Sequence, residues 1–441
     1  MKITIFGTGY VWLVAGTCFA ELGHEVLCID VDEEKIQKLT QGIIPIYEPG
    51  LSELVLKNHK NWNLNFSTDA KSGVLFWEVI ISAVGTPPDR ENSHKADLKY
   101  VKQVAKTFGQ YTDSYKVFVN KSTVPVGTGE ICREIIESEI QARGENVEFD
   151  VASNPEFLRE WNAIGDFMKP DRVVLWVENS KSEAILKKLY APISDAWYKV
   201  IMTNIKSAEV IKYASNAFLA TKLSFINEIA NFAEAAWADI EDITRGMWSD
   251  TRIWSKFLNA WIGYGWSCFP KDIEALLQTG KEYSIDFKIL ADTQKVNERQ
   301  KLVVIDKLQK HIDIEWKTIA IWGLSYKPDT DDIRDAPSIQ IMRKLLELWV
   351  SEIRVYDPEA MDRMKELFTD HTNSIVFCEN KEVTVTDSDA LLLLTEWDEF
   401  KQPDFTEIAN QMKWNIIIDG RNIWKNDNID KLGIKYEWIG R

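Results

Sequence analysis

Cysteine and histidine are scarce, five of each in 441 residues, and neither is spaced for a metal site or a disulfide framework. Cys18, Cys28, Cys132, Cys268 and Cys378 stand far apart with no CxxC pair. Positive charge is also in deficit. Lys and Arg total 52 against 68 Asp and Glu, a formal charge of −16. That argues against a nucleic-acid partner, although a local basic pocket for a small phosphate ligand is compatible with it. Long apolar runs are missing, since none approaches the ~20 residues of a membrane span. The opening MKITIFGTGY reads as a strand and a glycine turn, not as a signal sequence. The expectation is a cytoplasmic protein without a metal, a membrane or a nucleic-acid partner. With 45% hydrophobic residues there is ample material for two or three domains.

What is present is an alternation of strands and helices. The spacing predicts strands at 2–6, 25–30, 79–84, 116–120 and 149–153, with helices between them. Such alternation implies a parallel sheet covered on both faces. Residues 204–237 are helical in period and rich in alanine, as expected of a long connecting helix. A second series of strands starts near Lys317, at 318–322, 352–356, 374–377, 390–394 and 415–419. The fold expected is α/β, with two Rossmann-like doubly wound domains joined by a central helical domain. The divisions are 1–200, 201–300 and 301–441.

Gly7 and Gly9 lie between the first strand and the first helix, and Asp30 ends the next strand 21 residues after Gly9. Glycine permits the tight turn and lets a pyrophosphate reach the helix N-terminus. The acid accepts from a ribose 2′-hydroxyl and repels a 2′-phosphate, which favours NAD. The third glycine of this fingerprint is replaced by Trp12, where an indole is expected to clash. Cys268 follows a glycine-rich stretch and precedes Lys271 and Asp272. A nearby cation favours the thiolate. A reactive cysteine beside NAD can carry an aldehyde to an acid through a thioester.

These residues belong to a longer series. In chain order it is GTGYV (7–11), YEPGL (47–51), VGTP (84–87), STVPVGT (122–128), NPEFLRE (154–160), PDRVV (170–174), KYASNAFLA (212–220), WSCFPKD (266–272), GLSYKPDTDDIRDAPS (323–338), TEWDEF (395–400) and DGRN (419–422). Together they resemble the UDP-glucose/GDP-mannose dehydrogenases nearly end to end. The resemblance implies an NAD-binding domain, a helical domain that makes a homodimer, and a domain for the nucleoside diphosphate. Phe269, after the cysteine, points to the UDP-glucose branch. The reaction implied is UDP-glucose, two NAD and water to UDP-glucuronate and two NADH. A sibling acting on GDP-mannose or a UDP-N-acetylhexosamine, or an inactive nucleotide-binding homologue, stays open.

Carried over by position, the resemblance makes Cys268 the nucleophile. Lys212 and Asn216, one helical turn apart, attend the reacting end of the sugar. Glu156, Glu160, Asp272 and Thr123 order water, relay protons or place the cofactor. The NAD positions are Gly7, Gly9, Tyr10, Val11, Asp30, Lys35, Thr86, Thr123, Glu160, Lys271 and Arg334. Those for the sugar nucleotide are Glu156, Phe157, Leu158, Arg159, Glu160, Lys212, Asn216, Phe257, Leu258, Asn259, Ala260, Trp261, Gly265, Lys327 and Arg421. Arg252 matches an arginine that reaches the site of the neighbouring subunit.

Tryptophan is the anomaly, with 18 in all. Trp12, Trp161, Trp176, Trp237, Trp248, Trp254, Trp261, Trp266, Trp349 and Trp438 fall where the resemblance places glycine, and Trp316 and Trp414 are further candidates. Trp322, Trp397 and Trp424 read as ordinary tryptophans. Overpacking costs about 1–3 kcal/mol per site, so the chain as written is expected to fold poorly. A UGA codon meant as glycine and read as tryptophan would produce this pattern.

Overall fold

The computed structural model describes residues 1–7, 9–46, 48–87, 89, 96–265, 268–424 and 429–441. Thr8 of the glycine turn, Tyr47 of the YEPGL segment, and Trp266 and Ser267 ahead of the cysteine lie outside the described residues. The chain divides into two compact units, Met1–Ser215 with Glu274–Ser284, and Asn216–Ile273 with Ile285–Arg441. The helix Ile205–Ala235 belongs to the first over its opening turns and to the second thereafter. No helix of the described residues is long and apolar enough to cross a membrane.

The first unit is built on β1 (Lys2–Phe6), β2 (Glu25–Ile29), β3 (Leu64–Ser67), β4 (Val79–Ser82), β5 (Lys116–Asn120), β6 (Phe149–Ser153), β7 (Val173–Trp176) and β8 (Val200–Thr203). They lie in the order β3-β2-β1-β4-β5-β6-β7-β8. Successive side chains of a strand point to opposite faces, and here each face has its own core. Ile3, Ile5, Val79, Ile81, Val117 and Val119 enter one core, while Phe6, Ile80 and Phe118 enter the other. The strand order reverses between β1 and β4, which opens a crevice at their carboxyl ends.

The expectation of a wholly parallel sheet needs one correction. β7 runs against β6, paired through Ser153 and Trp176. The helix between them, Ala163–Met168, has six residues.

The second unit carries β9 (Thr318–Trp322), β10 (Glu352–Tyr356), β11 (Ile375–Phe377), β12 (Ala390–Leu393), β13 (Ile416–Asp419) and β14 (Lys435–Trp438). They form a parallel sheet in the order β11-β10-β9-β12-β13-β14, which repeats the first six strands of the other sheet. Ile319, Ile321, Ile353, Val355 and Leu392 face one core, joined there by Ile226 and Ala230 of the long helix. Ala320, Trp322, Leu391, Leu393 and Ile417 face the other.

The echo extends to the first turn. Gly323, with φ of 91°, takes the place of Gly7, and Asp357 after β10 takes the place of Asp30. Asp357, however, is 1% exposed and is used up inside the protein. It accepts from the amides of Leu324 (2.6 Å), Ser325 (3.0 Å), Glu359 (3.0 Å) and Ala360 (2.8 Å) and from the Trp397 indole (3.1 Å). It shapes the GLSYK loop and is not free to meet a ribose.

The tryptophans correct the expected source of strain. Trp62, Trp161, Trp197, Trp237, Trp316 and Trp349 all have φ between 57° and 70°, in the left-handed region. All but Trp161 are 71–97% exposed, so their cost lies in the backbone and not in overpacking. Trp62 and Trp197 join the set although the sequence did not single them out. Four follow helices with the hydrogen bonds of a glycine stop. The Trp237 amide bonds Glu234 O at 3.3 Å and the Ala238 amide bonds Ala233 O at 2.8 Å. Gly23 and His24 do the same to Ala20 O (3.0 Å) and Phe19 O (3.1 Å). By contrast Trp322, Trp397 and Trp424 are buried, and each donates its indole N–H, to Thr384, Asp357 and Phe400 respectively.

Candidate active site

In the first unit the glycine turn is built as the sequence predicts. A Cβ on Gly7, whose φ is 108°, would stand 2.5 Å from the Ala83 carbonyl oxygen. Gly9 begins the helix Tyr10–Glu21, whose first turn contains no acid, so its amide end is not countered by an internal charge. Asp30 follows β2 and accepts from the Asp32 amide at 3.1 Å and the Lys35 ammonium at 3.4 Å. Val11 is half-buried behind the turn. These features fit a dinucleotide: a cradle that a Cβ would fill, a helix N-terminus, and an acid at the next strand end.

The expected clash of Trp12 is not found. The indole is half-buried and borders the turn, its Cδ1 lying 3.1 Å from where a Gly9 Cβ would be. The close helix–strand approach is made at Gly16 instead, where a Cβ would stand 2.8 Å from Cys28 Sγ.

The residues of this unit expected on the sugar side gather around one buried ion pair. Lys212 Nζ lies 3.1 Å from Glu156 Oε1, with both side chains buried. The other Glu156 oxygen accepts from the Leu158 amide at 2.7 Å, which fixes the turn of the loop. Phe157 lies under Arg172, at 3.7 Å, and 5.4 Å from Lys212. Thr86 donates to the Thr123 carbonyl at 2.8 Å, joining the two threonine loops. Arg159 is exposed and doubly bonded to Asp166. Glu160 is half-buried, and its charge helps raise the Tyr10 phenol, which burial raises most.

Lys121 was missed by sequence reasoning. It is buried, donates to Asn154 Oδ1 at 3.0 Å, and burial pushes its ammonium down to about 8. Glu156 opposes that shift and Lys212 adds to it. A lysine ending a strand in a run of apolar residues was the available signal.

In the second unit, Cys268 is half-buried and its carbonyl accepts from the Asp272 amide at 2.8 Å, so it stands at the start of the helix Phe269–Glu282. Negative charge is favoured at that end of a helix. Asp272 is 1% exposed and organises two other candidates. It accepts from Asn216 Nδ2 at 2.6 Å and from Lys271 Nζ at 2.6 Å. The Asn216 amide is thereby oriented.

The 257–265 segment is threaded along buried amides that the sequence reading also missed. The Trp261 amide donates to Asn227 (2.9 Å), the Gln300 amide to the Trp261 carbonyl (2.9 Å), and Tyr264 exchanges two bonds with Asn297 (2.8 and 2.9 Å). Phe257 has φ of 63°, Leu258 and Ala260 are buried, and Asn259 is exposed. A Cβ on Gly265 would stand 2.5 Å from the Asp335 carbonyl oxygen, so this loop is seated directly on the backbone before Ala336.

Four basic candidates complete this unit. Arg421 is anchored by Asp419, lies 3.8 Å over the Trp261 ring and pairs with Glu396, and its Nε has no hydrogen-bond partner among the described residues. Lys327 is half-buried beside Tyr326, and Arg334 donates to Asp332 from Nε and Nη2 along one guanidinium edge. Arg252 is 87% exposed and bonded to Asp250. The structure thus gathers Glu156, Phe157, Leu158 and Lys212 in one unit, and Asn216, Lys271 and Asp272 in the other.

Residues 1–194 match the NAD binding domain of the UDP-glucose/GDP-mannose dehydrogenase family, residues 206–299 its central domain and residues 320–426 its UDP binding domain. The chain is 44% identical over 441 residues to UDP-glucose 6-dehydrogenase TuaD of Bacillus subtilis, covering all of this chain and 93% of that one. It is 41% identical over 445 residues to UDP-glucose 6-dehydrogenase of Rhizobium meliloti, covering all of both. Its fold matches a UDP-glucose dehydrogenase structure from the hyperthermophilic archaeon Pyrobaculum islandicum with a TM-score of 0.88, at 30% identity over 100% of this chain and 97% of that one. Three family domains in order, and identity sustained from one end to the other, make the chain a member of the UDP-glucose/GDP-mannose dehydrogenase family.

Proposed function

We propose that this chain oxidises UDP-glucose to UDP-glucuronate in two NAD-dependent steps, with Cys268 carrying the acyl group between them. The observation that carries this reading is the placement of Cys268 at a helix start whose first turn holds Asp272 against Asn216 and Lys271. Full-length identity of 41–44% to UDP-glucose 6-dehydrogenases supports the substrate.

Gly7, Gly9, Tyr10, Val11, Asp30, Lys35, Thr86, Thr123, Glu160, Lys271 and Arg334 would hold NAD, which would supply the hydride acceptor for each oxidation. Lys212, held by Glu156, stabilises negative charge on the sugar O6 as the hydroxyl proton passes to water and a hydride leaves C6, turning the alcohol into an aldehyde. The Cys268 thiolate then adds to C6, forming a C–S bond and leaving the charge on O6. Loss of a second hydride from C6 gives the thioester. Water positioned by Asp272 attacks the carbonyl, the C–S bond breaks, the sulfur leaves as the thiolate, and the two water protons pass to solvent as the carboxylate is released. Arg421 and Lys327 are assigned to the diphosphate, and the 257–265 segment to the rest of the nucleotide.

We further assign residues 201–300 to a homodimer interface. Phe218, Phe225 and Phe232 recur every seven residues along the helix Ile205–Ala235 and are 65%, 48% and 68% exposed. Arg252 is directed to the neighbouring copy, and the enzyme to the cytoplasm, where NAD is abundant.

The test is Cys268→Ala with UDP-glucose, following NADH and the sugar product together. Loss of UDP-glucuronate is expected, and undiminished acid formation removes the thioester. Turnover of GDP-mannose in preference to UDP-glucose by the unaltered chain would remove the substrate assignment.

A further inference from the structure

Glu48 belongs to none of the roles above, yet its carboxylate has the most crowded hydrogen-bonding of any acid in the first unit's turn region. It is 6% exposed. One oxygen, Oε1, accepts from the amides of Ala163 (2.8 Å) and Ile164 (3.3 Å). The other, Oε2, accepts from the Trp161 amide at 2.7 Å and from the Tyr10 phenol. The Trp161 amide also lies 2.8 Å from the Tyr10 oxygen. A buried carboxylate persists only when its oxygens are supplied with donors, and these donors come from two segments about which the rest of the site is built. Tyr10 opens the helix behind the dinucleotide turn. Trp161 directly follows Glu156–Glu160, and its φ of 70° is a conformation the backbone does not favour by itself. Because Oε2 is shared, displacing either segment disturbs the other.

We propose that Glu48 is a positioning residue that ties the dinucleotide turn to the 156–160 segment, so that one carboxylate sets the affinity for both NAD and the sugar nucleotide. The assignment of 156–160 to the sugar nucleotide rests on the function proposed above. Burial and the Glu48 bond hold the Tyr10 phenol above its ordinary value, so it remains a donor throughout the neutral range.

The experiment uses the full chain with Glu48→Gln, Glu48→Asp and Tyr10→Phe. NAD and UDP-glucose affinities are measured separately, each without the other, alongside kcat, both KM values and thermal stability. Glu48→Gln is expected to weaken both ligands about tenfold, the loss of one charge-assisted hydrogen bond, while kcat at saturation changes far less. Glu48→Asp restores part of both affinities. Tyr10→Phe weakens both by a smaller factor and adds nothing when combined with Glu48→Gln. The proposal is overturned if Glu48→Gln lowers stability but leaves both affinities within twofold, or weakens one ligand alone. If neither Glu48 variant folds, unchanged affinities in Tyr10→Phe overturn it. Failure of the parent chain to bind UDP-glucose removes the substrate reading, and the NAD affinities of the variants still decide the role of Glu48.

Discussion

Lys121 shows how a side chain's surroundings, more than its type, decide what it contributes. Its ammonium is fully enclosed, with Asn154 as hydrogen-bond partner, Glu156 as counter-charge and Lys212 as a like charge. Burial lowers it from 10.5 to about 8. A lysine lowered on folding is held more weakly protonated in the fold than in the unfolded chain. Stability from this group therefore rises with pH from about 8 to about 10.5. The difference is worth about 3 kcal/mol. Chemical denaturation across that range should show the rise in the parent and not in Lys121→Met; a parallel rise in both refutes it. At this scale the turn at Gly7 and Gly9 and the acid at Asp30 were legible because glycine geometry and local spacing declare themselves in sequence, whereas Cys268 was singled out by the resemblance. Lys121, Asn227, Asn297 and Gln300 were not. Their importance lies in what they face, and a buried amide looks like any other until the chain is folded.

Helix ends hold the second test. Trp62, Trp197, Trp237 and Trp349 stand where Gly23, Gly42 and Gly144 stand after other helices, with positive φ and the same backward amide bonds. A left-handed residue other than glycine costs about 1–2 kcal/mol. Replacing these four by glycine should raise the melting temperature, each contributing about 1 kcal/mol, whereas Trp322→Gly should cost about 3–5 kcal/mol. Thermal unfolding separates the two sets, and a fall in stability in the first would refute the assignment. The gene offers a direct reading as well, since UGG codons at these positions would exclude a misread UGA. Gly265→Ala is expected to fail differently. The backbone at Asp335 and Ala336 leaves no room for a Cβ, so the 257–265 loop must shift and UDP-glucose affinity should fall about tenfold or more; unchanged affinity refutes that. Elements with strong apolar runs were legible to within a residue or two. β3, β7 and β8 were not, because each has only four residues, too few to show a period; β3 (LNFS) and β8 (VIMT) are also partly polar, whereas β7 (VVLW) is apolar throughout.

Across the whole chain, the two sheets share an order but differ at the acid beyond the second strand, half-buried as Asp30 after β2 and fully enclosed as Asp357 after β10. The strand pattern alone did not reveal that difference. The pairing of copies is the testable property at this scale. Phe218→Asp with Phe225→Asp should shift sedimentation toward the monomer, while circular dichroism keeps its helical signal. An unchanged sedimentation coefficient, or a parent chain that is already monomeric, refutes the interface.

The three ordinary tryptophans have a practical consequence. Trp322, Trp397 and Trp424 share a single core in the second unit, shielded from water, with Trp322 stacked on Phe400 and Trp424 meeting Phe405 edge to face. In a chain bearing glycine at the left-handed positions, blue-shifted emission would come from that core. A fluorescence melt followed at the blue edge would then weight the loss of the nucleoside-diphosphate half, while Trp12, Trp77 and Trp176, none of them fully buried, would report the dinucleotide half at longer wavelengths, so the two events are told apart by colour.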